Sequence, residues 1–265
     1  MDFKNANELL TLCEEQNISI SEVMRNREII TGECPAKEAD QKMARVLEIM
    51  KEAARSPIEK PIRSMGGLIG GEAQKLAHHS ASGQGLCGEL LEKAITYAMA
   101  TLETNASMGL IVASPTAGSA GIVPGLLLAF QEVYHFSDKE IQQVLFNAGA
   151  VGYLAMRNAT VAGAVGGCQA EVGVASAMAA SAAVELMGGT PKQCLDAAST
   201  VLMNMLGLVC DPVGGLVEYP CQNRNAAGVA NATIAAEIAL SGVRQLIKSN
   251  HHHKLTAFQV DFIWF

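Results

Sequence analysis

Aromatic side chains make up only 5% of this 265-residue chain, and a single tryptophan is among them. Charged residues are also sparse at 17%, and their balance is acidic, with a formal net charge of −7. That balance leaves no basic footprint for nucleic acid or an anionic membrane surface. Period-two alternation is nearly absent, so nothing supports a sheet. Also missing are the GxxxxGK phosphate loop, the HExxH metal pair and any CxxC pair. The N-terminus, Met1-Asp2-Phe3-Lys4-Asn5, lacks the basic-then-apolar order of a signal peptide, so a reducing cytoplasm is expected. In that compartment the seven cysteines are not a disulfide framework. The expected partners are small molecules and other proteins.

What the chain has in quantity is small and apolar: 49% hydrophobic residues and 25 glycines, enough for one sizeable core. The run from Val161 to Met187 is interrupted by Cys168, Gln169 and Glu171, groups costly in lipid, and reads as a buried helix rather than a membrane span. From Glu8 to about Ser56 the text is charged and helical: Ser19-Ile20-Ser21-Glu22 is a cap signal, and Met43, Val46, Leu47, Ile49 and Met50 fall at helical spacing. Pro57, Pro61 and the glycine-rich run from Met65 to Gly71 then punctuate. This divides the chain into a helical N-terminal segment over 1–60, a helical catalytic domain over 61–247 and an atypical tail over 248–265.

Within the second segment, Leu86, Leu90, Leu91, Ile95, Ala98, Met99 and Leu102 mark one face of a helix. Further helices are expected over Asp138–Asn158, Ala170–Met187 and roughly Ala226–Ile247. Gly188-Gly189-Thr190-Pro191 reads as a stop followed by a start, with Thr190 as cap. The fold class is therefore all-α. The tail breaks character, with His251-His252-His253 and the lone Trp264; it reads as an engineering scar, a frameshifted end or a degenerate tail.

Three cysteines stand where chemistry is possible. Cys168 follows Gly166-Gly167 just before a helix, where the positive helix end is expected to lower its pKa and favour the thiolate a metal needs. Cys210 and Cys221 flank Asp211-Pro212-Val213-Gly214-Gly215-Leu216-Val217-Glu218-Tyr219-Pro220, a turn-forming loop able to aim both sulfurs into one hollow. Isolated cysteines are more often small buried hydrophobes, and Cys13, Cys34, Cys87 and Cys194 are read as core or surface residues. A [4Fe-4S] cluster is normally held by four thiolates, so three would leave one iron open as a Lewis acid. The second run of interest is Asn105-Ala106-Ser107, then Ser114-Pro115-Thr116-Ala117-Gly118-Ser119 through Pro124-Gly125. It concentrates hydroxyls, an amide and glycines in loops, suited either to a substrate carboxylate or simply to helix caps.

Taken together, Gly-Gly-Cys-Gln-Ala-Glu-Val-Gly around Cys168, the stretch from Leu206 to Cys221 and Ser114 to Pro124 resemble the α subunit, or α domain, of the bacterial iron–sulfur L-serine dehydratases. The likeness runs from about Phe3 to Gln245, with the three cysteines forty-two and eleven residues apart. It implies an all-helical catalytic domain whose [4Fe-4S] cluster is held by Cys168, Cys210 and Cys221. It implies conversion of L-serine to pyruvate and ammonia without pyridoxal phosphate. Asn105, Ser107, Thr116, Gly118 and Ser119 would line the substrate pocket. For the base that takes the α-proton, Lys75, His78 and His79 are the candidates, with Lys75 and His79 put forward. Nothing here resembles the family's β region, so a separate β subunit is implied. The chain departs from the family past Ile247, which raises the alternative of a truncated, inactive subunit. A cluster-dependent cysteine desulfidase and a zinc-binding helical protein are the other competing readings.

Overall fold

A computed structural model of the chain describes residues 2–244. Among them are ten α-helices and no strand: α1 Ala6–Gln16, α2 Ile20–Thr31, α3 Ala36–Glu59, α4 Glu72–Ala81, α5 Gly88–Ala106, α6 Ile122–Tyr134, α7 Asp138–Asn158, α8 Gly163–Leu186, α9 Pro191–Asn204 and α10 Cys221–Leu240. None of these helices is long and apolar enough to cross a membrane. The all-α expectation holds. The tail over 248–265 and the expected end of the last helix at Ile247 lie outside the described residues.

The helix α8 forms the centre. From Val172 to Val184 every residue is buried, and nearly all are Ala, Gly, Ser or Val, so it is apolar on every side, as a core helix must be. The helices α6, α7, α9 and α10 pack around it. Because its side chains are small, its neighbours approach closely. Outside this layer, α5 packs on α6 and α10, α3 on α5, and α2 on α7. Phe3, ahead of α1, and Leu9, Ile20 and Leu47 from the first three helices share a core with Leu126, Val151 and Val184.

Several boundaries follow from local chemistry. Ser19 and Glu22 form the expected capping box of α2, and Thr190 and Gln193 form that of α9, with Pro191 in its first turn. The helix α7 matches its expected span. Elsewhere the structure corrects the sequence reading. Pro57 does not stop α3, which runs on to Glu59. A proline there removes the N–H that would reach the Ala53 carbonyl, and the Thr104 hydroxyl donates to that carbonyl instead, at 2.8 Å. Leu86 lies before α5 and is 94% exposed, so the expected apolar face begins only after it. Ile122 to Gly125, read as part of a loop, opens α6. The last helix starts at Cys221 rather than Ala226 and ends at Leu240.

Candidate active site

The site is built from a break in α8. Its first turn, from Gly163, is interrupted at Gly167, whose φ of 74° and ψ of 177° are not helical. A side chain there would be strained by that φ and would place a Cβ 2.9 Å from the Leu208 carbonyl. Cys168 restarts the helix, buried beneath this kink. The chain leaving α9 is pinned against the restart: the Gln169 amide donates to the Leu208 carbonyl at 2.8 Å, and the Gln169 side-chain oxygen accepts from the Gly207 amide at 2.8 Å.

Arg224, one turn into α10, ties the three cysteine-bearing elements together. Its Nη1 lies 3.2 Å from the Cys168 Sγ, donates to the Val209 carbonyl at 3.0 Å and pairs with the Asp211 carboxylate at 2.5 Å. It thus clamps the loop on both sides of Cys210 while sitting three residues after Cys221. Cys210 is exposed and Cys221 is buried. All seven cysteines are free thiols; Cys13 and Cys194 are buried in the core, Cys34 is half-buried and Cys87 is exposed.

Burial pushes the Cys168 thiol up to about 11, Arg224 pulls in the other direction, and Cys210 and Glu171 add to the rise. Cys221 is raised by burial, then by Glu171 and Cys210. The expected lowering of the Cys168 pKa by the helix end is therefore overturned, because desolvation of a buried thiolate outweighs it. These mutual influences place Cys168, Cys210, Cys221 and Glu171 in one electrostatic neighbourhood. Among the described residues, however, no three His, Cys, Asp or Glu side chains are drawn together as a single metal ion requires.

The Cys210–Cys221 loop is held on its other flank by a carboxylate. Glu218, 2% exposed, accepts from the Ser64 hydroxyl at 2.7 Å, the Gly66 amide at 2.6 Å and the Leu68 amide at 3.0 Å. The glycine-rich run read as punctuation is thus a nest wrapped around an internal anion. Burial raises the Glu218 pKa, but the hydrogen bonds from Ser64, Leu68, Gly66 and Ile69 prevail and hold it below the usual value. A second buried carboxyl, Glu103, accepts from the Ala73 amide at 2.9 Å and from Gln222, next to Cys221, at 3.2 Å. Burial raises its pKa, and its Oε2 has no partner.

The hydroxyl run lies against the same helix turn. Thr116 donates to the Glu171 Oε1 and lies 3.1 Å from the Ser119 hydroxyl. The Gly118 carbonyl accepts from Asn225 of α10 at 2.8 Å. Thr116, Gly118 and Ser119 are thereby brought to the cysteine neighbourhood. Asn105 sits in the last turn of α5 and Ser107 caps it; they connect to the site through Met65, whose amide donates to the Ala106 carbonyl at 2.8 Å. Lys75 and His79 stand exposed on α4, where Lys75 faces Glu72 at 3.8 Å; none of their described contacts reaches a cysteine. A hollow of about 510 Å³ opens nearby between Ser114, Pro115, Tyr153 and Met178, with no cysteine on its wall.

Arg224, Glu171, Glu218 and Glu103 are the functional candidates that sequence reasoning missed. A signal existed for two of them. Glu171 and Arg224 each stand three residues after a cysteine, which places them on the same helix face as Cys168 and Cys221.

Residues 15–257 match the family model described as serine dehydratase alpha chain. Over 245 residues the chain is 48% identical to the probable L-serine dehydratase, alpha chain, of Bacillus subtilis (strain 168), covering 92% of this chain and 81% of that one. Over 242 residues it is 44% identical to the L-serine dehydratase, alpha chain, of Peptoniphilus asaccharolyticus, covering 91% and 83%. It is also 38% identical over 247 residues to an L-serine dehydratase of Helicobacter pylori (strain ATCC 700392 / 26695); that match covers 90% of this chain but only 53% of the longer relative.

Proposed function

Since this chain belongs to the serine dehydratase alpha chain family, we propose that it is the cluster-bearing α subunit of an L-serine ammonia-lyase. The reaction removes the α-proton and the β-hydroxyl of L-serine as water. The resulting aminoacrylate tautomerises and takes up water again, giving pyruvate and ammonia. The observation that carries the reading is the Arg224 clamp, which gathers the elements bearing Cys168, Cys210 and Cys221 beside the Thr116–Ser119 hydroxyls.

Thiolates are the donors that suit iron–sulfur clusters, and a guanidinium at hydrogen-bond distance from one of them offsets negative charge around such a group. Cys168, Cys210 and Cys221 would hold a [4Fe-4S] cluster, which supplies a Lewis acid with one iron not bound by protein sulfur. A cluster also spreads its ligands wider than one ion does, in keeping with three thiols that share a neighbourhood without closing on a point. The chain's own part is then to bind and orient. The neutral Thr116–Ser119 loop would receive the substrate carboxylate, with the Thr116 hydroxyl itself committed to Glu171. Gly118, locked to Asn225, would let the backbone come close, and Asn105 and Ser107 would complete the lining.

Lys75 and His79 sit on the exposed α4, so the group that accepts the α-proton is assigned to a β subunit. The Helicobacter relative, about twice the length of the matched region, carries additional chain that such a subunit would supply here. The reading is tested by adding L-serine to anaerobically reconstituted protein, with and without the β partner, and assaying pyruvate and ammonia. Equal amounts of both products in the presence of the partner are expected. Sulfide released from L-cysteine, with no turnover of L-serine, would replace this reading with a desulfidase.

A further inference from the structure

We propose that Glu171 binds the α-ammonium group of the substrate and makes the site selective for amino acids over the corresponding hydroxy acids. The inference rests on the serine reading above and assigns one more residue of the same site.

Glu171 lies one helical turn after Cys168 and is half-buried. Its carboxylate occupies a slot that exists only because two neighbours lack side chains. A Cβ at Gly118 would lie 2.7 Å from Oε1, and a Cβ at Gly163 would lie 2.5 Å from Oε2 and 3.7 Å from the Cys210 Sγ. The slot therefore opens beside a cysteine and beneath the hydroxyl run. Oε1 accepts from Thr116, a neutral partner. Among the described residues no lysine, arginine or histidine pairs with this carboxylate. The nearby cation, Arg224, is already engaged by Asp211, Cys168 and Val209.

A half-buried carboxylate in the neighbourhood of three cysteine sulfurs, with a hydroxyl as its described partner, carries a negative charge that no ion pair among the described residues balances. An amino-acid zwitterion completes it. The substrate ammonium would donate to Oε2, while its carboxylate turns to the neutral Thr116–Ser119 loop. A hydroxy acid of the same shape carries no positive charge to offer, so the site would hold it less tightly.

The test compares wild-type holoenzyme, assembled with its β partner, with the Glu171→Gln variant, which keeps size and hydrogen-bonding atoms but removes the charge. Three quantities are read: iron and labile sulfide per chain, the KM and calorimetric Kd for L-serine, and the inhibition constant of L-glycerate, which has a hydroxyl where serine has its ammonium. The variant is expected to keep its iron, to weaken L-serine binding by about ten- to a hundredfold, the size of one lost charged hydrogen bond, and to leave L-glycerate inhibition unchanged. Unchanged serine affinity would overturn the assignment. So would equal weakening of serine and glycerate, which would mark a structural role, or loss of iron, which would make Glu171 part of the cluster site. A wild-type enzyme that forms no pyruvate from L-serine would instead remove the serine reading, and this inference with it.

Discussion

Arg224 does with one side chain what the sequence distributes over three segments. It reaches Cys168, the Val209 carbonyl and Asp211 at once, all through Nη1, an atom held at the end of a rigid planar guanidinium that lysine's flexible stem does not reproduce. Arg224→Lys should therefore weaken iron retention about tenfold or more, the usual cost of removing an outer partner of a metal ligand, while the helical circular dichroism stays intact. Iron content after desalting checks it. Glu218 offers a second residue-scale test. Its pKa is held below the usual value, so its ionised form stabilises the fold above about pH 4.3, the unfolded glutamate value. That contribution is lost as the pH falls through the lower folded value. Glu218→Gln should cost about 1–3 kcal/mol at neutral pH and flatten the acid limb of a stability–pH profile measured by urea unfolding. The cysteines were legible because thiols are rare and their loops are built of turn formers. Arg224 and Glu171 were not, because a charge on a helix face is ordinarily a solvated one, and only the three-residue offset from a cysteine set them apart.

At the scale of the element, the helix starts capped by Ser19 and Thr190 were read correctly, and ends set by tertiary contacts were not. Ser19 and Thr190 announce their helices in the sequence. The start of α6 does not, because Pro124 and Gly125 look like a turn. Pro124 lies in the first turn, where the N–H it lacks has no helical partner, and Gly125 is there for packing. A Cβ on Gly125 would stand 2.9 Å from the Ala94 carbonyl and 3.0 Å from the Ala98 amide of α5. Those neighbours are backbone and cannot move aside. Gly125→Ala should accordingly destabilise the protein by about 1–3 kcal/mol, despite the helix propensity it gains. A Tm lowered by several degrees would show this, whereas an unchanged or higher Tm would mean that the α5–α6 approach is looser than described. Pro57 teaches the converse: α3 continues through it because Thr104 takes over the carbonyl that the proline leaves open.

For the whole molecule, an all-α fold was legible from the missing period-two pattern and the abundance of small residues, which demand helices in close contact. The central place of α8 follows from a helix with no polar face. The gathering of Cys168, Cys210 and Cys221 depends on α8, α10 and the chain between them meeting in space, which no local pattern encodes. We propose that this gathering holds an iron–sulfur cluster. Iron and acid-labile sulfide, together with visible absorption, should be measured side by side on anaerobically purified wild-type and Cys210→Ser proteins. About four of each per chain are expected in the wild type, as for a [4Fe-4S] cluster, with a broad visible band, and a severe loss of both in the variant. A wild-type protein that stays colourless and iron-free after reconstitution, or a variant that keeps the band, would contradict it.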